Sequence, residues 1–294
     1  MKKYTLYGNC QTLALKPFLD SSKEFTKNFE YIPIERVHKM HKEDLDKFYE
    51  ILPKIELLIH IPVSQNYKGN SQFSTQNILN NVPKKCISIL FPVCFFRGYN
   101  PELFYLKDLN NNKLTSDIDY HDINILKAFI KQNSKLRVLQ NNQFSEKQME
   151  EISNESIKEL ASRENNLFGT GIKTDISISQ FIKSRFKDQR LFYTINHPSK
   201  YLLTYITKQV FKILNINTTI FSKRIDPLAS TSYPIYKNVF QSLNLKFENN
   251  SIYKIKNKIY TKKRIIKKYF NYYKDLPTEL LEMNVKRYED KYKN

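Results

Sequence analysis

Lys2-Lys3-Tyr4-Thr5-Leu6-Tyr7-Gly8-Asn9-Cys10-Gln11-Thr12 decides how the rest of the chain is read. Tyr4–Tyr7 is short, apolar and β-prone, Gly8 permits a tight turn, and Thr12-Leu13-Ala14-Leu15-Lys16 opens a helical pattern. A strand that turns through Gly8-Asn9 into a helix over Gln11–Leu19 sets Cys10 at the helix N-terminus. Unpaired N–H groups and the macrodipole favour an anion there, so a thiol loses its proton more readily. That is one route to a nucleophile on a strand-to-helix elbow. The other reading is a small buried hydrophobe, the fate of most lone cysteines, and position alone weighs the two equally.

Outward from this stretch the alternation repeats. Phe29–Ile34 reads as a second strand, and His41–Leu52 carries Leu45, Phe48, Tyr49 and Leu52 at helical spacing. Ile55–Ile61, apolar except for Glu56 and His60, reads as a third strand covered on both faces. A loop through Pro62–Ser74 leads to a short helix over Thr75–Asn81, and Cys86–Phe91 is a fourth buried strand ended by Pro92. Strands alternating with helices imply right-handed crossovers and a parallel sheet flanked by helices, an α/β fold. The middle is mostly helical: His121–Gln132, Ser145–Arg163 with Ser145 as cap, and Ile176–Phe186. Asn165–Thr174, with Gly169 and Gly171, is a loop. Leu191–Thr194 is a short strand, and Ser199 caps a helix running to about Leu214.

From Tyr253 to Lys274 the chain is dense in lysine, isoleucine and tyrosine. Ile255, Ile259, Ile265, Ile266 and Phe270 line one face of a basic amphipathic helix on this reading. Such a face marks peripheral membrane-surface association or, more commonly, a solvated helix packed on its own domain, the reading favoured here. Asp275-Leu276-Pro277 ends it, and the last residues read as a frayed tail. The expected division is an α/β catalytic domain over residues 1–245, with a helical insertion around 121–186, and a basic helical extension over 246–294 packed on it.

Composition narrows the class. Hydrophobic residues at 40% and aromatics at 14% fit a globular chain rather than a disordered one. Cys10, Cys86 and Cys94 are odd in number and show no CxxC spacing, which argues against a disulfide framework or a thiolate zinc site. No metal-ligand motif of the HExxH or EF-hand kind occurs. Lys2-Lys3 is not followed by an uninterrupted apolar stretch, and no run approaches the roughly 20 apolar residues of a spanning helix, so the expected location is cytoplasmic. The formal charge of +19 invites an anionic partner: nucleic acid, an anionic membrane or a phosphorylated small molecule. An AT-rich genome produces the same lysine, asparagine and isoleucine bias without selection for binding. No GxGxxG or P-loop pattern occurs.

An open α/β sheet takes its ligand outside the carboxyl ends of its strands. Cys10 follows the first strand, and His60 with Ile61-Pro62-Val63-Ser64-Gln65 the third. Cys94 and Phe95-Phe96-Arg97-Gly98-Tyr99 follow the fourth, and Asn196-His197-Pro198 follows Leu191–Thr194. Four strand ends thus bring a thiol, two imidazoles, an arginine and several amides to one edge. His197, with Asn196 to orient its ring, is the stronger base candidate, since an imidazole accepts a proton near neutral pH. Its other reading is a loop histidine that caps the helix beginning near Ser199. His60 reads as a buried polar contact or a pocket wall, His38 and His41 as solvent-facing, and His121-Asp122 as a helix cap. Arg97-Gly98-Tyr99 suits an anion: guanidinium binds phosphate bidentately and glycine lets the backbone approach.

Gly8-Asn9-Cys10-Gln11, Ile59-His60-Ile61-Pro62-Val63-Ser64, Phe96-Arg97-Gly98-Tyr99-Asn100-Pro101-Glu102, His121-Asp122-Ile123-Asn124-Ile125-Leu126 and Phe192-Tyr193-Thr194-Ile195-Asn196-His197-Pro198-Ser199 occur in one order. Together they resemble the WcbI-type family of proposed polysaccharide-biosynthesis acetyltransferases. The resemblance implies an SGNH-hydrolase-like α/β fold with cysteine in place of the nucleophilic serine. It also implies bacterial O-acetylation of a sugar hydroxyl in a capsular or surface glycan, with coenzyme A or acetyl-CoA as cofactor. On that basis Cys10 is the nucleophile or lies against the thioester, His197 is the base, and Asn9, Gln11 and the Cys10 N–H form the oxyanion hole. Asn196 completes the catalytic set. The coenzyme is expected on Gly8, Asn9, Cys10, Gln11, His60, Ser64, Arg97, Gly98, Tyr99 and His197, with Arg97 on a phosphate. SGNH enzymes carry an aspartate two or three positions before the histidine. Thr194 and Ile195 stand there instead, which leaves a Cys-His dyad oriented by Asn196. Two other readings stand beside this one: a thiol esterase using the same pair with water as acceptor, and a basic nucleic-acid-binding protein. No RRM, KH or helix-turn-helix signature supports the last.

Overall fold

The structure, a computed structural model, describes residues 1–114, 116–132, 144–217, 219–220, 226–249 and 252–292. In chain order its elements are β1 (Lys2–Tyr7), α1 (Cys10–Leu13), α2 (Lys16–Leu19), α3 (Lys23–Asn28), β2 (Phe29–Tyr31), α4 (Lys42–Ile51), β3 (Leu57–His60), α5 (Thr75–Asn81) and β4 (Ile87–Leu90). There follow β5 (Leu103–Phe104), β6 (His121–Asp122), α6 (Ile123–Ile130), α7 (Glu146–Asn165), α8 (Ser179–Arg185), β7 (Phe192–Thr194), β8 (His197–Pro198) and α9 (Lys200–Ile213). The last are α10 (Lys237–Ser242), β9 (Tyr253–Ile255), β10 (Lys258–Tyr260), α11 (Lys262–Tyr273) and α12 (Thr278–Asp290). Two units interleave along the chain: Met1–Phe95, Ile157–Leu191 and Asn196–Leu228 make the first, and Phe96–Ser156, Phe192–Ile195 and Ala229–Asn294 the second.

In the first unit four parallel strands form a sheet in the order β2-β1-β3-β4. The chain leaves β1 for β2 on one side and then crosses to β3 on the other. This reversal places a crevice at the carboxyl ends of β1 and β3. Alternation along β1 divides its side chains between two covered faces. Tyr4 meets Phe25 of α3 edge-on at 5.0 Å, and Phe25 meets Phe211 of α9 at 5.7 Å. On the other face Tyr7 stacks on Phe48 of α4 at 5.1 Å, within a cluster that includes Leu45, Leu58 and Ile78. The edge at β4 is partly closed: the Leu90 N–H donates to Asp175 Oδ2 at 2.7 Å, and the Asp175 N–H donates to the Leu90 carbonyl at 2.8 Å. Glu164 fixes the start of α8, where its carboxylate accepts from both the N–H and the hydroxyl of Ser179, from the Ile178 N–H and from the Ser177 hydroxyl, at 2.6–2.9 Å.

The helix expected over Gln11–Leu19 is instead two single turns, α1 and α2. Pro17 has no N–H for the Leu13 carbonyl, so the ladder cannot run through. The strand Phe192–Thr194 does not belong to the parallel sheet, so only β1, β3 and β4 bring expected site residues to its carboxyl edge. Ser199 occupies the cap position of α9 without a capping bond from its side chain; Asp226 Oδ1 accepts the Lys200 N–H at 3.2 Å.

Tyrosines build much of the second unit's core. The Tyr233 and Tyr269 hydroxyls lie 3.0 Å apart, and both donate to the Tyr120 carbonyl, at 3.2 and 2.6 Å. His121 Nδ1 sits 3.0 Å from the Tyr273 hydroxyl, and Asp122 caps α6 through the Asn124 N–H at 2.8 Å. The frayed tail expected after Pro277 is α12. Tyr288 donates to the Pro101 carbonyl at 2.8 Å, and Asn284 exchanges bonds with both backbone groups of Lys107. Nor is Tyr253–Lys274 one amphipathic helix: Ile255 lies on β9 and Ile259 on β10, an antiparallel hairpin, and only Lys262–Tyr273 is helical.

Among the described residues of this unit, two carboxyls, Glu102 and Asp122, are buried. Glu102 accepts from Asn100 Nδ2 at 3.0 Å, and Asp122, opposite Leu103 in the β5–β6 ladder, accepts from the Tyr236 hydroxyl. Burial, and then the Asp122 charge beside it, hold Glu102 well above the carboxylate range, and burial pushes Asp122 up to about 6. A raised folded-state pKa means that the folded protein binds the proton more tightly than the unfolded chain. The contribution is therefore fully present below the ordinary carboxylate value and is lost as pH climbs through 6 and beyond. Glu102→Gln keeps the acceptor for Asn100 and removes the charge. Its melting temperature, relative to wild type, should rise between pH 5 and pH 8; calorimetry at a series of pH values checks this, and parallel curves would refute it.

Candidate functional site

The site begins at Gly8, whose backbone φ of +153° and crowded surroundings leave no room for a side chain: a Cβ would meet Ile61 Cγ1 and Thr12 Oγ1, each at 2.6 Å. Tucked against β3, the chain turns at once into α1. Asn9 caps that turn, its Oδ1 accepting the Gln11 N–H at 2.8 Å and its carbonyl accepting the Thr12 hydroxyl at 2.8 Å. Cys10 is thereby placed half-buried at the carboxyl end of β1, at the point where the strand order reverses.

Gln11 is wholly buried and works as a clamp. Its Nε2 donates to the Cys94 carbonyl at 2.9 Å and to the Asn196 carbonyl at 2.8 Å, while its Oε1 accepts the Cys94 N–H at 2.8 Å. Both amide hydrogens and the Gln11 N–H are thus engaged within the protein. Its role in this geometry is to position: it ties the segment after β4 and the backbone beside His197 to the residue next to Cys10. His197 itself is half-buried. No aspartate stands two or three residues before it. Sequence reading did not anticipate Asp226, brought by the fold to the first turn of α9, three residues along the chain from His197. Its separation from His197 by 29 positions hides it from any local motif.

The three cysteines differ sharply. Cys86 precedes β4 and so lies at the amino end of the sheet, opposite to Cys10, and burial pushes its thiol up to about 11. Cys94 is wholly buried, and its thiol is pushed far up by burial and, secondarily, by the nearby Cys10. Cys10 is therefore the thiol that the carboxyl edge presents.

Other expected site residues take different places. His60 shares a face of β3 with Leu58, is 1% exposed, and pairs through Nε2 with Ser88 Oγ at 2.8 Å; burial lowers its pKa to about 4. It is a neutral core histidine of the sheet. Ser64 follows in a loop, its carbonyl accepting the Tyr67 N–H at 3.2 Å. Arg97, Gly98 and Tyr99 belong to the second unit. Arg97 Nη1 donates to the Tyr292 hydroxyl at 3.3 Å, and its N–H donates to Ser156 Oγ at 3.1 Å. At Gly98 a Cβ would fall 2.3 Å from the Phe96 ring, so close packing explains the glycine. Tyr99, 1% exposed, packs against Phe96 at 5.0 Å and Phe247 at 5.5 Å. No group of three or more metal-ligating side chains occurs among the described residues.

A family model for WcbI, a polysaccharide biosynthesis enzyme, matches residues 3–219. No curated protein matches the sequence. A solved structure of WcbI is similar, with 25% identity and a TM-score of 0.86 over 98% of this chain and 94% of that one. That structure is the native protein without a disulfide bond between coenzyme A and one of its cysteines. With the family model spanning well over half of its length and the fold matching throughout, the chain belongs to the WcbI family of polysaccharide biosynthesis enzymes.

Proposed function

We propose that this protein is a coenzyme A-dependent O-acetyltransferase acting on a sugar hydroxyl in capsular or surface polysaccharide biosynthesis. The fold is read as SGNH-hydrolase-like, with Cys10 in the place of the serine. The Gln11 clamp carries this reading: it fastens the backbone next to Cys10 to the backbone next to His197. A thiol and an imidazole on backbone joined in this way suit acyl transfer. The likeness to WcbI, described in relation to a coenzyme A–cysteine disulfide, supports coenzyme A as the ligand. Cys10 fits that chemistry, being the half-exposed thiol at the sheet's carboxyl edge.

Acetyl-CoA, when bound, supplies an acetyl group activated as a thioester. His197 takes the proton of the Cys10 thiol. Cys10 Sγ takes the acetyl carbon as the donor's carbon–sulfur bond breaks, and the proton on His197 leaves with the released thiol. His197 then takes the proton of the sugar hydroxyl as that oxygen bonds the acetyl carbon. The Cys10–acetyl bond breaks and Sγ returns as thiolate. Asp226 is the carboxylate proposed to orient the ring.

Isothermal titration with coenzyme A, on wild type and Cys10→Ala, tests the ligand. Mass spectrometry after incubation with acetyl-CoA tests the covalent step. We expect stoichiometric binding by both proteins, an acetyl adduct on wild type alone, and transfer by Cys10→Ala reduced by about 10³-fold or more. Absence of binding would overturn the acetyltransferase reading. Retained transfer by Cys10→Ala would reduce Cys10 to shaping the site, and acetate release without a sugar would mark a thiol esterase.

A further inference from the structure

Residues 253–274 hold nine lysines and arginines and no acid. The second unit distributes them on a hairpin and a helix. Along α11, Ile265, Tyr269 and Tyr273 are buried, while Lys263, Arg264 and Lys267 face solvent on the opposite side. Arg264, Lys267 and Lys268 line an open groove of about 650 Å³ together with Tyr260, Asn271 and Tyr272. The acid in that groove, Asp117, lies 3.6 Å from Lys256 Nζ. The hairpin turns through Lys256 and Asn257, both at positive φ (48° and 67°), a two-residue turn matched to strand twist. It leaves Ile259 65% exposed, paired across the ladder with Lys254, and Ile252 just before β9 is 43% exposed.

Positive charge alone suits any polyanion. A bare isoleucine among lysines is more selective, because it gains only where apolar matter lies beneath the anionic layer. A glycan or a nucleic-acid backbone offers Ile259 nothing to be buried against. A phospholipid interface takes both parts, lysine heads at the phosphates and aliphatic carbon at the acyl boundary. We propose that the β9–β10 hairpin and the outward face of α11 dock this protein on an anionic phospholipid surface. No helix among the described residues is long and apolar enough to cross a membrane, so the contact is with the surface.

Co-sedimentation of the full chain with phosphatidylcholine vesicles, with and without phosphatidylglycerol, tests this. Binding is expected only with phosphatidylglycerol present and should fall as salt rises. The double variant Lys267→Glu, Lys268→Glu should weaken partition by about a hundredfold. Ile259→Ser should weaken it by about tenfold. Circular dichroism and coenzyme A titration should be unchanged in these variants, which separates this proposal from the catalytic one. No binding to phosphatidylglycerol vesicles would overturn the proposal. So would vesicle binding indifferent to Ile259→Ser and fully competed by heparin, which would mark a site for soluble polyanions.

Discussion

Gly8→Ala is expected to abolish coenzyme A binding and to lower the melting temperature by about 10 °C or more. Two costs combine. The backbone φ of +153° is one that a residue with a Cβ rarely adopts, and the new Cβ would overlap Ile61 Cγ1 and Thr12 Oγ1 at 2.6 Å. Strain of this kind costs about 1–3 kcal/mol and overpacking a similar amount. A domain stable by about 5–15 kcal/mol loses much of its margin to such a change. Relief requires Gly8 to back away from β3, which carries Cys10 with it and breaks the bond from the Val37 N–H to the Gly8 carbonyl. Gly69→Ala and Gly169→Ala are the controls: both glycines have positive φ, yet nothing lies within 4 Å of an added Cβ. Each should cost only about 1 kcal/mol. Thermal melts of the three variants decide the matter, and an equal loss in all three would show that overlap at Gly8 is not the cause.

Gln11→Leu should cost about 3–5 kcal/mol and remove transfer activity together. The substitution approximately preserves volume but leaves the Cys94 N–H and carbonyl and the Asn196 carbonyl without their side-chain partner, each a buried polar group worth about 1–3 kcal/mol. Gln11→Glu makes the sharper test. Its carboxylate retains an acceptor for the Cys94 N–H but turns a negative oxygen toward two carbonyls. A buried glutamate so placed has a raised pKa, so its protonated form fits the folded state, and stability should fall as pH rises from 5 to 8. Cys10→Ala, by contrast, should lose activity with its melting temperature nearly unchanged. If Gln11→Leu were to behave in the same way as Cys10→Ala, the clamp would not be what holds the site together.

The parallel sheet was legible because each strand is a short apolar run and each connection holds a helix. β3 and β4 fall within the expected stretches, β1 contains its own and begins two residues earlier, at Lys2, and the elbow at Gly8 lies where the glycine indicates. Proline 17 was also in plain view, and it divides the first helix. His60 takes the first of its two readings, a buried polar contact: the period of two puts it on the Leu58 face, where it meets Ser88. The hairpin at 253–260 was hidden because its turn is Lys256-Asn257 rather than Asn-Gly, and lysine-isoleucine alternation reads as helix or strand alike. α12 was hidden for another reason. Its partners, Pro101 and Lys107, lie about 180 residues upstream, and its own sequence is mostly polar. The candidate site divides along the same line. Cys10 and His197 could be singled out locally, whereas the Gln11 clamp joins positions 83 and 185 residues apart and no local pattern announces it.

The interleaving of the two units has a bearing on how the chain is made. Synthesis delivers the four sheet strands within the first 95 residues, but the first unit is not complete until Leu228 has followed. At about 5–20 residues per second, the ribosome needs several seconds to pass from the last strand to Asn196, whose carbonyl Gln11 awaits. Throughout that interval Cys10 stands on a nascent sheet whose edge is unfinished. The thiol therefore passes through its most vulnerable period before the protein exists as an enzyme, and a chaperone or a reducing environment matters most at that moment rather than after release.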